Sequence, residues 1–439
     1  MTLAAAGEAE RTRIAVIGAG VAGLTAAHLL APAADVTVFE AAGHAGGHTN
    51  TVVIASGPDE GLAVDTGFIV MNEKNYPRFT RLLADLGVAT QPSDMTFGYH
   101  DARTGLQYAG TGLGGIFARK RQCFDPAYLR LLADIARFNR ATLRMLHAGQ
   151  LAGLTLGAHV TRLRLSPQLR ESYLYPMTAA IWSAPLSGAA EFPAEAFAHF
   201  FANHGLLTLR DAPPWRTVAG GSQTYVRALL ARFTGTLRLK AAVAEVRRDE
   251  EGVVVRVVGE PAQRFDRVVL ATHADVTLRM LADASAQERR LLGPWRYAHN
   301  HTVLHTDVTV LPPRRAAWAS WNYTREAGAT GEAPVSVTYQ MNRLQRLRAH
   351  EQYCVTLNRQ APLDPRRVIA QFDYTHPQYD FMSMSTQAEL PLLQGQRSTW
   401  FCGSYHGFGF HEDAVRSAHD ATRHLLAQPA CTAQPTEAR

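Results

Sequence analysis

Three glycines near the start of the chain have the spacing of a dinucleotide-binding turn. Gly18, Gly20 and Gly23 lie between two apolar segments, as expected where a strand ends and a helix begins. Glycines at this spacing allow a tight turn, a close approach of the backbone to a pyrophosphate, and close packing of the helix on the strand. Glu40 follows 22 positions after Gly18, where a carboxylate can bind both ribose hydroxyls and repels a 2′-phosphate. The pattern predicts a bound dinucleotide other than NADP.

A β-α-β unit must position these residues. The run Ile14–Ala34 contains no Asp, Glu, Lys or Arg, so its hydropathy resembles that of a membrane span. Its glycines favour another interpretation, with a strand at Arg13–Ile17, a helix at Val21–Leu30 and a second strand at Val36–Glu40. The N-terminus of that helix would present its N–H groups to a phosphate.

A second glycine triplet has the same spacing but a different context. Gly110, Gly112 and Gly115 follow Asp101–Leu106, a segment with the character of a turn. Because the fingerprint requires a strand before its first glycine, we interpret this triplet as a flexible loop. We therefore expect a single dinucleotide.

The composition limits the classes of function. Of the 439 residues 46% are apolar and 19% are charged, which excludes wholesale disorder and suggests two or three structural units. The net charge of +6 comes without a dense basic tract, so nucleic acid is not an expected partner. Only Lys74, Lys120 and Lys240 among the 44 basic residues are lysines. Chemistry that needs an amine base has only these three positions, because arginine stays protonated.

The cysteines and the two ends of the chain bear on the compartment. The four cysteines form no Cys-x-x-Cys pair, which excludes a disulfide framework and a cysteine-based zinc ribbon. Residues 1–10 lack the basic and apolar segments of a secretory signal. We expect a cytoplasmic protein with disordered tails at 1–10 and 428–439.

Two further segments carry polar side chains at regular spacing. His299, His301, His305 and Asp307 share parity and would point to one face of a strand. Three interpretations stay open: a metal site, a polar wall of a substrate cavity that titrates near neutrality, or structural histidines bonded within the sheet.

The second of these segments, Pro126–His147, has the apolar periodicity of a helix. Arg130, Arg137 and Arg144 recur on it every seven residues. We interpret this basic face as solvated surface. The alternative is contact with anionic lipid headgroups, which would place the protein peripherally at the inner face of the membrane.

Several stretches beyond the glycine turn carry a resemblance to a known family. They are Ala41–Thr49, Val64–Val70, Trp215–Tyr225, Leu239–Val246 with Gly252–Val257, Trp400–Ser404 and Gly409–Ala414. Together they resemble the FAD-dependent amine oxidase superfamily, which includes monoamine oxidases, phytoene desaturases and protoporphyrinogen oxidases. Within it, the closest likeness is to bacterial NAD/FAD-binding proteins associated with cyclopropane-fatty-acid-type lipid genes. The resemblance covers nearly the whole chain.

The resemblance implies an α/β fold with two interleaved domains. A Rossmann-like FAD-binding domain of the amine oxidase type is expected at 11–81, 211–281 and 396–426. An α+β substrate-binding domain is expected at 82–210 and 282–395. In relatives, the stretch matching Val64–Val70 is a strand beside the flavin ring.

The resemblance also implies which residues hold a non-covalent FAD. These are Gly18, Ala19, Gly20, Val21, Ala22, Gly23, Glu40, Ala41, Gly46, Gly47, His48, Thr49, Gly67, Phe68, Ile69, Val243, Gly403, Phe410, His411, Glu412 and Ala414. Among them, the Val243 backbone would hold the adenine. The N-terminus of a helix at His411–Leu426 would point at the flavin and stabilise negative charge on it.

Departures from the family shape the expected chemistry. His48 stands where many relatives have Arg, and no lysine lies near His299–Asp307, where amine oxidases place one. The resemblance implies hydride transfer from a C–H or C–N bond to flavin N5. The missing lysine and the lipid-gene association favour an apolar, lipid or fatty-acyl substrate and an unidentified electron acceptor. Candidate catalytic residues are His301, His305 and Tyr405.

Three alternatives to this function stay open. They are a strict amine oxidase, a flavin-dependent double-bond isomerase, and a non-catalytic flavoprotein that partners a lipid enzyme.

Overall fold

The computed structural model describes residues 11–182, 186–208, 213–326 and 336–428. These residues form two compact units, and each unit is assembled from separate stretches of chain. The first unit comprises 11–47, 226–294 and 386–428, and the second comprises the described parts of 48–225 and 295–385. Apart from Gln428, the tails expected to be disordered lie outside the described residues.

Strands and helices alternate along much of the chain. The strands are β1 (Arg13–Ile17), β2 (Asp35–Phe39), β3 (Thr51–Val53), β4 (Ala63–Asp65), β5 (Thr90–Pro92), β6 (Phe97–Asp101), β7 (Gln107–Ala109), β8 (Arg216–Val218), β9 (Thr236–Arg238), β10 (Val243–Asp249), β11 (Gly252–Val257), β12 (Gln263–Phe265), β13 (Arg267–Leu270), β14 (Arg296–His305), β15 (Trp321–Arg325), β16 (Ser336–Gln340), β17 (Cys354–Leu357), β18 (Val368–Gln378) and β19 (Thr399–Phe401). The helices are α1 (Val21–Leu30), α2 (Pro77–Leu86), α3 (Leu113–Ile116), α4 (Pro126–His147), α5 (Leu156–Arg162), α6 (Pro167–Leu169), α7 (Tyr175–Trp182), α8 (Leu186–Ala189), α9 (Ala194–Asn203), α10 (Gln223–Arg232), α11 (Ala274–Met280), α12 (Ala286–Leu292), α13 (Met341–Leu344), α14 (Phe381–Thr386) and α15 (His411–Leu426). Among the residues described, no helix is long and apolar enough to cross a membrane.

The first unit is built around a parallel sheet. Its five strands follow the order β19-β13-β1-β2-β9, and every neighbouring pair is parallel. All of β13 and most of β1 are buried, as expected for parallel strands covered on both faces. Helices α1 and α15 pack against each other beside this sheet. The fold is therefore α/β with a Rossmann-like core.

The predicted β-α-β unit is confirmed, and both ends of its second strand lie one residue earlier than predicted. The strand at Arg13–Ile17 and the helix at Val21–Leu30 are observed as predicted. The second strand ends at Phe39, one residue earlier than expected, because the Glu40 carboxylate accepts a hydrogen bond from the Ala42 N–H and bends the chain into a turn.

An antiparallel sheet of β10, β11 and β12 completes the first unit. The buried side chain of Arg248 anchors β10 through ion pairs of 2.8 Å to Asp283 and 2.7 Å to Glu288. Glu288 also accepts a hydrogen bond from the N–H of Ser285, which caps α12. This network fixes the strand that begins at Val243.

The second unit contains a mixed sheet of seven strands in the order β18-β14-β17-β16-β15-β6-β7. Its helical part includes α4, which spans the residues predicted for it. The helix begins there because the Asp125 side chain accepts hydrogen bonds from the N–H groups of Ala127 and Tyr128, and Pro126 occupies its first position.

Two expectations about the second unit are wrong. The strand expected over Val64–Val70 ends at Asp65, because the following residues bond irregularly to 48–50 through the N–H groups of Thr66 and Phe68. Gly110 follows a buried strand, β7, rather than a turn. The strand was not recognised because it has only three residues, too few to show a periodicity.

A buried carboxylate joins three segments of the second unit. Asp65 is fully buried, and its Oδ1 accepts hydrogen bonds from Thr51 Oγ1 at 2.5 Å and from both the N–H and the hydroxyl of Ser222 at 2.8 Å. Its Oδ2 accepts from Gln345 Nε2 at 3.0 Å. Burial raises the pKa of Asp65 to about 6, and the hydrogen bonds oppose that rise.

This raised pKa makes the stability of the second unit depend on pH. The folded state binds the Asp65 proton more tightly than the unfolded state, so the free energy of unfolding should fall as pH rises from about 4 through about 6. Asp65→Asn removes the titration and should abolish up to about 3 kcal/mol of that fall, as measured by denaturant unfolding at pH 4 and pH 7.

Asp59→Asn is the matched control for this measurement. The hydrogen bonds that Asp59 accepts from the N–H groups of His350 and Glu351 outweigh its burial and lower its pKa, so its removal should leave the fall between pH 4 and pH 7 in place. An equal pH dependence in the wild-type and Asp65→Asn proteins would contradict the assignment to Asp65.

Candidate functional site

The parallel sheet of the first unit brings three predicted segments to one edge. Strand β1 ends before Gly18, β2 before Glu40, and β19 two residues before Gly403. Because these strands are parallel, their carboxyl ends share an edge, and neighbouring strands lie about 4.8 Å apart. In open α/β sheets this edge is where ligands bind.

The three glycines of the first turn differ in what their surroundings tolerate. A Cβ added at Gly23 would lie 1.9 Å from the Gly18 carbonyl oxygen. Gly18 itself has φ +101°, and a Cβ there would lie 3.0 Å from the Ala271 carbonyl oxygen. A Cβ added at Gly20 would meet no atom within 4 Å. Packing therefore requires glycine at 18 and 23, whereas the open space at Gly20 would allow a ligand to approach the backbone.

The helix that starts at this turn has an N-terminus suited to an anion. Gly20 is the N-cap of α1, and no side chain caps the helix. Its first turn consists of Val21, Ala22 and Gly23, and the N–H groups of a first turn have no partner within their own helix. A phosphate at this position would accept hydrogen bonds from them.

Glu40 has a structural role beside its predicted ribose contact. Its Oε2 accepts a hydrogen bond from the Ala19 N–H and its Oε1 from the Ala42 N–H, both at 2.8 Å. Each carboxylate oxygen keeps a second lone pair, so ribose hydroxyls can still donate to it. The Glu40 carbonyl accepts from the Ala241 N–H, which places Val243 close by at the start of β10.

The glycine pair after β2, Gly46 and Gly47, packs directly on the turn at Gly18–Gly23. The Gly46 N–H donates to the Ala19 carbonyl at 2.8 Å. Gly47 has φ +58°, and a Cβ there would lie 3.2 Å from the Gly20 Cα. The predicted cofactor residues of the first turn and of this glycine pair therefore lie together. Ala41, which comes between them in the sequence, is exposed.

The segment from Trp400 to Ala414, which we call the closing segment, leads into a helix whose N-terminus already carries a carboxylate. Gly403 is held by Ser417, whose Oγ accepts from the Gly403 N–H at 2.9 Å. In α15, which spans the predicted residues, Asp413 Oδ2 accepts from the N–H groups of Phe408 and Phe410 at 2.9 and 3.1 Å. Burial raises the pKa of Asp413, while these bonds and Arg416 oppose the rise.

Asp413 is a residue that the sequence interpretation missed. Its signal was an acidic residue three positions after the N-cap Phe410, the spacing at which a side chain reaches back to the N-cap N–H. The predicted neighbours His411 and Glu412 are partly buried in the same first turn, and Ala414 is buried behind them.

Tyr405 and His406 lie between Gly403 and α15. Tyr405 is buried. Burial, with a smaller contribution from Arg416, lowers the pKa of His406 to about 3, so its ring is neutral. The buried His406 Nε2 makes no hydrogen bond to another described residue, and a buried polar atom without a protein partner suits a site that a ligand completes.

The second unit holds the five remaining predicted cofactor residues. His48 Nε2 donates to the Thr375 carbonyl at 3.0 Å, and burial lowers the pKa of His48. A Cβ added at Gly67 would lie 2.0 Å from the His48 carbonyl oxygen, which also accepts from the Phe68 N–H. The structure therefore brings His48, Gly67 and Phe68 together.

The other two of these residues are bonded to neighbouring segments. Thr49 Oγ1 and the Tyr225 hydroxyl form a 2.5 Å hydrogen bond. The Ile69 carbonyl accepts from Thr217 Oγ1 at 2.8 Å.

The histidines of β14 have different surroundings. His299 and His301 are exposed, and His301 Nδ1 lies 3.3 Å from Asp373 Oδ1. His305 is fully buried, its Nδ1 accepts from the Asp307 N–H at 3.1 Å, and its Nε2 bonds to Thr356 Oγ1 at 2.7 Å.

This geometry favours the interpretation of His305 as a histidine bonded within the sheet. Burial lowers the pKa of His305 to about 4, so the ring is neutral and both nitrogens are occupied. No group of three or more potential metal ligands lies together in the described part of the chain. Catalytic roles for His301, His305 and Tyr405 stay predictions.

Comparison with known proteins finds a matching family and similar structures over most of the chain. The family model for flavin containing amine oxidoreductases matches residues 21–426. A putrescine oxidase structure with bound putrescine has 15% sequence identity and a TM-score of 0.69, covering 96% of this chain and 100% of that one. A CLA-producing fatty acid isomerase from P. acnes has 16% identity and a TM-score of 0.67, covering 95% and 99%. Cyclohexylamine oxidase from Brevibacterium oxydans has 16% identity and a TM-score of 0.66, covering 94% and 98%.

Two glycines of the first turn should respond differently to the same substitution. Gly23→Ala forces a methyl group against the Gly18 carbonyl and should lower the free energy of unfolding by at least about 2 kcal/mol. Gly20→Ala should leave unfolding of the flavin-free protein unchanged, while flavin absorbance per protein falls because the methyl group blocks the approach to the backbone. Full flavin occupancy in Gly20→Ala would show that no ligand approaches there.

Removal of the Glu40 carboxylate should weaken binding of the dinucleotide. Loss of charged hydrogen bonds to two ribose hydroxyls should raise the Kd for FAD about a hundredfold or more, so Glu40→Ala should lose flavin on gel filtration. Glu40→Gln keeps one acceptor oxygen and should lose less. The ribose assignment is wrong if Glu40→Ala elutes with its flavin intact.

Proposed function

Since the chain belongs to the flavin-containing amine oxidoreductase family, we propose that this oxidoreductase binds FAD non-covalently and acts on an apolar, lipid-like substrate. The observation that best supports a bound dinucleotide is the turn at Gly20, where packing leaves open space beside an uncapped helix N-terminus. The bound flavin would accept a hydride from a C–H or C–N bond of the substrate.

Each part of the cofactor has residues that suit it in the first unit. The N–H groups at the start of α1 suit the pyrophosphate, the remaining lone pairs of Glu40 suit the ribose, and the backbone at Val243 suits the adenine. The N-terminus of α15 favours negative charge, although Asp413 already occupies part of it. These residues orient the cofactor, and none of them needs to exchange a proton.

A non-covalent cofactor is supported by the state of Cys402. This cysteine of the closing segment is fully buried, and burial raises the pKa of its thiol to about 12. Its thiolate, the nucleophilic form, is therefore scarce near neutral pH.

The lysines support a substrate that needs no amine base. All three, Lys74, Lys120 and Lys240, are exposed, so none is a desolvated amine in an apolar pocket. His305 is engaged at both nitrogens. Direct departure of a hydride from an apolar substrate requires neither group, and positioning and exclusion of water would be the protein's contribution.

Two alternatives take support from the comparisons. A strict amine oxidase activity would parallel the putrescine and cyclohexylamine oxidases, and a double-bond isomerase would parallel the fatty acid isomerase. A non-catalytic flavoprotein that partners a lipid enzyme is a further alternative. The positions of His301, exposed beside Asp373, and of Tyr405, buried after β19, do not decide among these.

One anaerobic experiment separates these functions. We expect the purified protein to show a flavin spectrum that bleaches when acyl lipids are added without oxygen and that persists when primary amines are added. Bleaching by amines alone would establish the amine oxidase, and product formed without an electron acceptor would establish the isomerase. A spectrum that no substrate changes would favour the non-catalytic partner. Gly20→Ala protein without flavin is the control for changes that do not involve the cofactor.

A further inference from the structure

The surface around the start of α4 combines exposed apolar side chains with exposed basic ones. Phe124 is 86% exposed, Leu113 76% and Leu129 42%. The basic side chains beside them are exposed and belong to Lys120, Arg121, Arg130, Arg314 and Arg315. We call these eight residues the apolar–basic tip.

Hydrogen bonds beneath the tip fix the backbone that carries its exposed side chains. The buried side chain of Gln122 accepts from the Arg119 N–H at 2.8 Å and donates to the Gln107 carbonyl at 3.0 Å. The Tyr128 hydroxyl donates to the Ile116 carbonyl at 2.5 Å. These bonds fix the segments on either side of Phe124, so its exposure is built into the fold.

Arg314 and Arg315 belong to the same surface as α3. A Cβ added at Gly115 would lie 3.2 Å from the Ala316 carbonyl oxygen, and the Arg314 N–H donates to Gln107 Oε1 at 2.9 Å. Gln107 is therefore hydrogen-bonded both to the Arg314 segment and to Gln122.

All five charged side chains of the tip are positive. None of its five basic side chains forms an ion pair with an acidic residue in the described part of the chain. The one acidic residue between positions 113 and 130 that is exposed, Asp125, accepts the N–H groups that cap α4. Single exposed apolar residues are ordinary on protein surfaces, but three of them within 17 residues, surrounded by cations, have the composition of an interfacial membrane anchor.

We propose that the apolar–basic tip docks on a membrane surface that contains anionic lipids. Leu113 and Phe124 enter the boundary between headgroups and acyl chains, and the basic side chains bind the anionic headgroups. This inference is independent of the proposed function. It differs from contact along the whole Arg130, Arg137 and Arg144 face, because Arg137 pairs with Asp134 at 3.1 Å and α4 exposes no large apolar side chain beyond Leu129.

A fluorophore next to Phe124 tests the docking directly. Cys123 is exposed, whereas Cys354 and Cys402 are buried, so an environment-sensitive thiol label in a Cys431→Ser background reports on the tip. We expect a blue shift with vesicles of phosphatidylcholine and phosphatidylglycerol, and a much smaller shift with phosphatidylcholine alone. The same emission with and without both kinds of vesicle would overturn the proposal.

Sedimentation with the same vesicles, using the unlabelled holoprotein, separates the two contributions. Leu113→Ser/Phe124→Ser should lower the partition coefficient on the order of tenfold or more, whereas Leu392→Ser, at a residue 56% exposed in the first unit, should not. Lys120→Glu/Arg121→Glu should lower binding to anionic vesicles by at least about tenfold, in contrast to Arg227→Glu/Arg289→Glu, which makes the same change of charge elsewhere.

The remaining outcomes would contradict the proposal. Equal loss of binding in the tip variants and their controls would assign the attraction to overall charge. Self-association of the wild-type protein that Leu113→Ser/Phe124→Ser abolishes, without vesicle binding, would assign the tip to contact between copies of the chain. Unchanged flavin content in the variants confirms that they are folded.

Discussion

At Gly23 a single methyl group would lie 1.9 Å from the Gly18 carbonyl oxygen, and the first unit depends on the close approach that its absence allows. Helix α1 can then start directly at the end of β1, with its N-terminus at the carboxyl edge of the sheet. Helix α15 packs against α1, and the Leu425 carbonyl in its last turn accepts a hydrogen bond from Arg267 at the start of β13, so its N-terminus lies at the carboxyl edge too. Two positive helix ends thus lie at one edge of the sheet.

The second unit holds buried ionisable groups that are hydrogen-bonded within the protein. Burial lowers the pKa of His48 and of His305, and it raises that of Asp65. Each of these groups is also hydrogen-bonded, which removes the larger penalty of an unsatisfied buried polar atom. These hydrogen bonds tie the three groups to segments that are distant in sequence, at Thr375, Thr356 and Gln345.

The sequence predicted those elements whose signals are local. The helices Val21–Leu30, Pro126–His147 and His411–Leu426 begin and end as predicted, because glycine, proline and acidic residues mark their starts. The strand expected over Val64–Val70 ends early because its neighbours at 48–50 are distant in sequence. The bonds that occupy His305, and the exposure of His301, likewise depend on partners contributed by other strands, which no spacing within one strand reveals. Asp413 had a local signal, its spacing of three residues from the N-cap Phe410, and its hydrogen bonds to the N–H groups of Phe408 and Phe410 were not predicted from it.

Glu40 is bonded within the turn and is also predicted to bind the ribose, and this affects the entropy of ligand association. Its carboxylate is already bonded to the Ala19 and Ala42 N–H groups, and the Gly46 N–H is bonded to the Ala19 carbonyl. The conformational entropy of these loops is therefore lost on folding and not on association with a ligand. A preorganised receptor of this kind retains its shape when the ligand departs, so release and reloading can be reversible without refolding.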